Sequence, residues 1–178
     1  MLLGSCATAS TSPDDAEPEG SITSVFALKT PEETEALGAR LAVARPLALE
    51  QQPATLYLTG ELGAGKTTLV RGFVRACGVT APVRSPTYTL VSLHEAGALT
   101  IVHLDLYRLR DPGELEHLGL REWARPGSLW LIEWPERAGR LLPAPDLTVR
   151  LSAGPDAHQV DISAGTAAGT EWLRRAER

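Results

Sequence analysis

The stretch Gly60-Glu61-Leu62-Gly63-Ala64-Gly65-Lys66-Thr67 constrains this chain more than any other, because it satisfies G-x-x-x-x-G-K-[ST] at every fixed position. The run Ala54-Thr55-Leu56-Tyr57-Leu58-Thr59 before it reads as a buried strand. Leu69, Val70, Phe73, Val74 and Cys77 follow at helical spacing, and Gly78 stands where a helix C-cap belongs. Strand, glycine loop and helix in this order make an anion cradle. Three glycines let the backbone wrap closely and turn its N–H groups toward phosphate oxygens. The helix that begins here adds its positive dipole end and unpaired donors. Lys66 can reach terminal phosphates, and the Thr67 hydroxyl can take a place on Mg²⁺. Gly60, Gly63, Ala64, Gly65, Lys66, Thr67 and Thr68 are therefore the candidate nucleotide-binding residues. Lys29 and Lys66 are the only lysines in a chain that otherwise uses arginine. A lysine kept inside the loop suggests a site that needs a compact ammonium rather than a planar fork.

A chain of 178 residues, 43% hydrophobic, can bury one domain and is short for two. Its net charge is −5, with no long run of either sign. A free-standing nucleic-acid binder shows a basic footprint, so any RNA connection has to run through a partner. Cys6 and Cys77 form no metal or redox spacing, and His94, His103, His117 and His158 show no ligand spacing, so zinc is not indicated. Two cysteines so far apart suit a reducing, cytoplasmic compartment. No apolar run approaches the roughly 18 residues of a membrane span. Leu3-Gly4-Ser5-Cys6 faintly resembles a lipoprotein cleavage box but lacks a basic n-region, so export is not expected.

Residues 1–21 are small, polar and acidic and read as a disordered tail. Residues 22–163 read as the folded domain. Ile22 to Leu28 suits a first strand, and Thr30-Pro31-Glu32-Glu33 gives a capping box with proline at the first helical position. Leu37, Leu41 and Ala44 continue that helix to Arg45-Pro46. Asp111-Pro112-Gly113-Glu114 opens another capped helix that carries Leu115 and Leu118 and extends toward Trp123. Leu147, Val149 and Leu151 alternate, Gly154-Pro155-Asp156 turns, and Val160 and Ile162 return, which predicts a hairpin at a sheet edge. Residues 164–178 read as a loose tail with at most a short marginal helix.

Two carboxylates stand out. Thr100 to Leu106 predicts a strand with Val102, Leu104 and Leu106 on one face and Ile101, His103 and Asp105 on the other. Asp105 near its carboxyl end is costly to bury unless paired, solvated or set on a metal. Ligands bind beyond the carboxyl ends of open α/β sheets, which favours a functional Asp105. Leu129-Trp130-Leu131-Ile132-Glu133 is an apolar strand ending in an acid, the form that holds Mg²⁺ behind a phosphate loop. Thr87, within Arg84-Ser85-Pro86-Thr87-Tyr88-Thr89, lies where nucleotide switches usually do. On spacing alone the segment is equally a Ser-Pro turn leading into a strand. His103 reads as structural, and Arg108 as a surface or salt-bridging residue.

GELGAGKTTLVRG, SPTYTLV, HLDLYRL and LIEWPER, in this order, resemble the small bacterial ATPase of tRNA threonylcarbamoyladenosine biosynthesis, the TsaE (YjeE) family. The resemblance covers about residues 25–150. It implies an α/β fold of one P-loop NTPase domain, with a mostly parallel sheet, helices on both faces and the C-terminal antiparallel hairpin at one edge. It also implies slow, Mg-dependent ATP hydrolysis beside the TsaB and TsaD proteins, with tRNA reached only through that complex. Carried over by motif, Lys66 binds phosphate, Thr67 and Glu133 serve magnesium, Asp105 is an acid essential to hydrolysis, and Thr87 belongs to the switch-like segment. Two rivals stand beside it, and a third reading is a nucleotide-switched binding module whose hydrolysis only times assembly. A GTPase would need [NT]-K-x-D, and the chain contains no Asn. A small-metabolite kinase would carry an Arg-rich lid, and residues 136–146 are short and proline-rich instead.

Overall fold

Apolar residues at alternate strand positions settle onto two faces of one sheet, and helices cover what they leave open. The computed structural model describes residues 23–46 and 53–178, so the acidic tail expected at 1–21 lies outside the described residues. In chain order the elements are β1 (Thr23–Leu28), α1 (Pro31–Ala44), β2 (Ala54–Gly60), α2 (Lys66–Ala76), β3 (Val91–Ala96), β4 (Leu99–Asp105), α3 (Leu120–Trp123), β5 (Ser128–Glu133), β6 (Leu147–Ser152), β7 (His158–Ala164) and α4 (Ala167–Ala176). Short 3₁₀ turns occupy Pro112–Leu118 and Pro135–Ala138. The sheet runs β1-β7-β6-β2-β5-β4-β3. β2 pairs in parallel with β5 and β6, and β4 with β5; β1–β7, β6–β7 and β3–β4 are antiparallel. Only β7 and β3 oppose the common direction, so the sheet is mostly parallel as expected. The expected hairpin is β6–β7, but β1 adds outside it and becomes the edge.

One face carries Leu56, Leu58, Ile101, Leu129, Leu131, Leu147, Val149 and Ile162 into a core closed by α1, α2 and α4. The other carries Val102, Leu104, Trp130 and Ile132 against Leu115 and Ala138 of the 3₁₀ turns. Each fully buried Leu or Ile of this kind contributes about 1.5–3 kcal/mol. α1 starts at Thr30, whose side chain accepts the Glu33 N–H, while Glu33 Oε2 accepts the Lys29 N–H at 2.5 Å. It lies very close to α2: a Cβ on Gly38 would meet Leu69 O at 2.1 Å, and one on Gly72 would meet Glu35 O at 2.0 Å. Glu35 then clamps the pair by accepting from Arg71 Nε at 2.7 Å and Arg75 Nη1 at 2.9 Å.

Two further expectations are corrected. The helix anticipated from Asp111 toward Trp123 has its capping box, yet it forms a 3₁₀ stretch and then one α turn. Gly119 between them takes φ 63° and breaks the ladder. The tail expected to be loose is not loose over Ala167–Ala176. There α4 is capped by Thr166 Oγ1, which accepts the Gly169 N–H at 3.0 Å. Trp172 is fully buried, lies edge-on to Phe73 and donates Nε1–H to Leu41 O at 2.8 Å. Asp146 pins the approach by accepting from Thr55 N at 2.9 Å and Thr166 Oγ1 at 2.5 Å. The stabilising partners come from α1, β2 and α2, far away in the sequence.

Candidate functional site

β2, β4 and β5 run in parallel and end side by side, so Gly60, Asp105 and Glu133 meet at the carboxyl ends of these inner strands. A cavity of about 460 Å³ opens there, with Lys66, Thr67, Ser85, Thr87, Asp105 and Glu133 among its lining residues. Gly60, at φ 125°, sits so close to β6 that a Cβ would lie 1.9 Å from Leu151 O. Gly63 and Gly65 also take positive φ, and Gly65 caps α2 in the left-handed conformation. Only glycine adopts such a path without strain. It leaves the first turn of α2 open toward the cavity, the arrangement that suits an anion.

Lys66 is 4% exposed and donates to Gly60 O at 2.6 Å and Glu61 O at 2.8 Å. Its ammonium also lies 3.8 Å from the centre of the Trp134 ring, a cation–π contact. Burial holds the Lys66 pKa below the ordinary lysine value, with Glu133, Glu136 and Asp105 pulling it back up. Thr67 Oγ1 lies 3.0 Å from both Glu133 oxygens. Glu133 is 2% exposed and also accepts from His103 Nε2 at 2.9 Å. A hydroxyl and a carboxylate are hard oxygen donors. Mg²⁺ binds to one or two such side chains plus substrate phosphates. Thr67 and Glu133 are the residues that could supply such donors; no group of three or more His, Cys, Asp or Glu able to hold a metal forms among the described residues.

Asp105 Oδ2 accepts from Thr87 Oγ1 at 2.6 Å and from Ser85 Oγ, and the two hydroxyls touch each other. Its Oδ1 takes the Tyr107 N–H at 3.0 Å. Asp105 therefore latches the segment after α2 to the tip of β4. Leu90 closes that segment with φ 62° and donates its N–H to Pro86 O at 2.6 Å. Arg108 is exposed, lies over the Tyr88 ring with its guanidinium 4.3 Å away, and lines the same cavity.

The structure thus brings together Lys66, Thr67, Asp105, Glu133 and Thr87 around one cavity. Ala64 is buried and offers its carbonyl to His158 Nδ1 at 3.0 Å, and Thr68 lines the flank of the loop. A second cavity, about 170 Å³, adjoins across Gly63, Gly65 and Thr68 and is walled by Leu28, Pro31, Thr34 and His158. Three neighbours were not singled out from the sequence. Ser85 and Trp134 sit inside motifs already noted. His158, on a strand nearly a hundred residues from the loop, carries no local signal. His103 is more than a filler: it is fully buried against Glu133, and its Nδ1 has no partner among the described residues. His94 stacks on it with ring centres 6.2 Å apart, and burial, then the neighbouring His103, pushes the His94 pKa down.

A mostly parallel α/β sheet with a glycine loop turning into α2 defines a P-loop NTPase-like protein. The chain matches the family model described as "Threonylcarbamoyl adenosine biosynthesis protein TsaE" over residues 28–160. It is 45% identical over 114 residues to the tRNA threonylcarbamoyladenosine biosynthesis protein TsaE of Haemophilus influenzae, covering 64% of this chain and 72% of that one. The Bacillus subtilis protein of the same name is 36% identical over 135 residues, 75% and 81% of the two chains. A crystal structure of Bacillus subtilis YdiB superposes with TM-score 0.71 at 28% identity, covering 89% of this chain and 96% of that one. The chain belongs to the TsaE family.

Proposed function

We propose that this protein is a Mg-dependent ATP hydrolase that serves tRNA threonylcarbamoyladenosine biosynthesis together with TsaB and TsaD. The carrying observation is the Thr67–Glu133 contact beside a buried Lys66 at the mouth of the glycine loop. The loop N–H groups and the start of α2 bind the phosphates. Lys66 exchanges its two carbonyl partners for phosphate oxygens, a charge-assisted replacement. Thr67 and Glu133 hold magnesium, which neutralises charge on the phosphates when bound. The cavity lined by Pro31, Thr34 and His158 beside the loop would have room for part of the nucleoside. Asp105 orients the attacking water, and the hydroxyl of Thr87 on the same carboxylate ties that function to the segment after α2. A γ-phosphate that competes for Thr87 would loosen the latch and change the exposed surface around Tyr88.

The net charge of −5 gives the chain no basic footprint for binding tRNA unaided, so partner proteins supply the contact. Steady-state ATP hydrolysis with the protein alone, with the TsaB–TsaD pair and with tRNA alone tests this. Slow turnover alone and stimulation by the pair are expected. Full activity without partners, or stimulation by tRNA alone, would overturn it.

A further inference from the structure

The two oxygens of Glu133 are held differently. Thr67 Oγ1 is 3.0 Å from each, so its single proton fixes where the carboxylate sits without choosing between them. His103 Nε2 is 2.9 Å from Oε1. A carboxylate only accepts, so Nε2 carries the hydrogen and donates it to Oε1. Strand register makes this contact possible. Asp105 stands opposite Glu133 and His103 opposite Leu131, so His103 and Glu133 are diagonal neighbours on one face of the sheet. His94 is placed the same way on β3, with Ser92 opposite His103 and Ile101 opposite His94. Its ring walls the far side of His103.

The His103 ring is fully buried and leaves Nδ1 without a partner among the described residues. An apolar side chain would fill this space without an unpaired nitrogen, and burying such a nitrogen is unfavourable. What histidine supplies here, and an apolar residue cannot, is the Nε2–H on Oε1. Thr67 and His103 are the side-chain donors to Glu133 among the described residues, and His103 alone tells its oxygens apart.

We infer that His103 is a positioning residue: its Nε2–H holds Oε1 of Glu133 so that Oε2 is presented to the divalent cation at Thr67. This rests on the reading of Glu133 as a magnesium residue. Outer contacts of this kind orient a ligand and set metal affinity.

The test uses the full chain, with Mn²⁺ affinity read by electron paramagnetic resonance in the presence of ADP, and ADP affinity read separately in EDTA. His103→Leu removes the donor and is expected to weaken Mn²⁺ binding about tenfold while ADP affinity in EDTA stays within about twofold. His103→Gln can place an amide N–H where Nε2 stood and should keep most of the Mn²⁺ affinity. His103→Asn is too short to reach and should match the Leu variant. Should the Leu variant not fold, the Gln and Asn pair carries the same comparison between polar side chains. Wild-type Mn²⁺ affinity in a folded Leu or Asn variant would overturn the inference. A Gln variant as weak as the Asn variant would also overturn it, since packing would then be the cause. Glu133→Gln leaves His103 intact; wild-type Mn²⁺ affinity in that variant would overturn the magnesium reading itself, and the inference with it.

Discussion

Lys66 is a buried cation held by two backbone carbonyls and an indole face, with three carboxylates acting on it through space, and its burial disfavours the charged form. Lys66→Ala should retain the fold and weaken ATP binding by about 1.5–3 kcal/mol, the worth of a charge-assisted donor. Calorimetry checks this. The burial also has a pH signature. The folded-state pKa of Lys66 lies below its unfolded value, so the unfolded chain binds more protons between the two. Lys66 therefore subtracts stability fully below the folded value, and the subtraction fades as pH rises through that window. Without nucleotide, Lys66→Met should melt higher than wild type near pH 7, and the gap should narrow toward about pH 10. A gap that stays constant would show that packing, not charge, is responsible. The two acids should separate in their effects. Asp105→Asn should lower turnover far more than ATP affinity, whereas Glu133→Gln should raise the magnesium concentration needed for half-maximal hydrolysis. Assays with partner proteins present decide this, and wild-type rates in both variants would make the carboxylates structural.

At the scale of elements, α4 changes most between expectation and structure. Its segment includes Gly169 and Thr170, both poor helix formers, and its apolar anchors are few. Docking compensates: Trp172 fills the space between α1 and Phe73, and Arg40 Nη2 donates to Ala176 O at 2.6 Å. Trp172→Ala should therefore cost about 3–5 kcal/mol, measured by denaturant unfolding. A loss below about 1 kcal/mol would return the segment to the status of a loose tail. The α1–α2 pair offers a parallel case. Gly72 lies against Glu35 backbone, which cannot swing aside as a flexible side chain would. Neither glycine carries a sequence signal of its role, because a close helix crossing shows only once both helices are in place.

Over the whole molecule, the site lies where three parallel strands end, and two of the large side chains the described residues expose, Leu62 at 73% and Tyr88 at 83%, lie near it. Both flank the cavity, one on the glycine loop and one on the latched segment. A partner that covers them would hold the segment in one arrangement. Under the proposed function, partner-dependent turnover is the expected behaviour of the full chain. None of the described helices is long and apolar enough to cross a membrane.

Strand, loop and first turn around Gly60–Thr67 were legible because the determinants are contiguous: glycines that permit the turn, and apolar residues at strand and helix spacing. The faces of β4 and the acid tips of β4 and β5 were legible for the same reason, since a period of two depends on neighbours in sequence. Which strand neighbours which was not. β1 displaced the hairpin from the edge because pairing depends on backbone groups from opposite ends of the chain. The links Thr67–Glu133, His103–Glu133, Ser85–Asp105 and Trp172–Leu41 likewise join residues that only folding makes adjacent. The sequence by itself determined which chemical groups are available and which local backbone carries them. Their distances, their partners and the burial that shifts their charge were decided by tertiary structure, because those quantities depend on contacts between segments far apart in the chain.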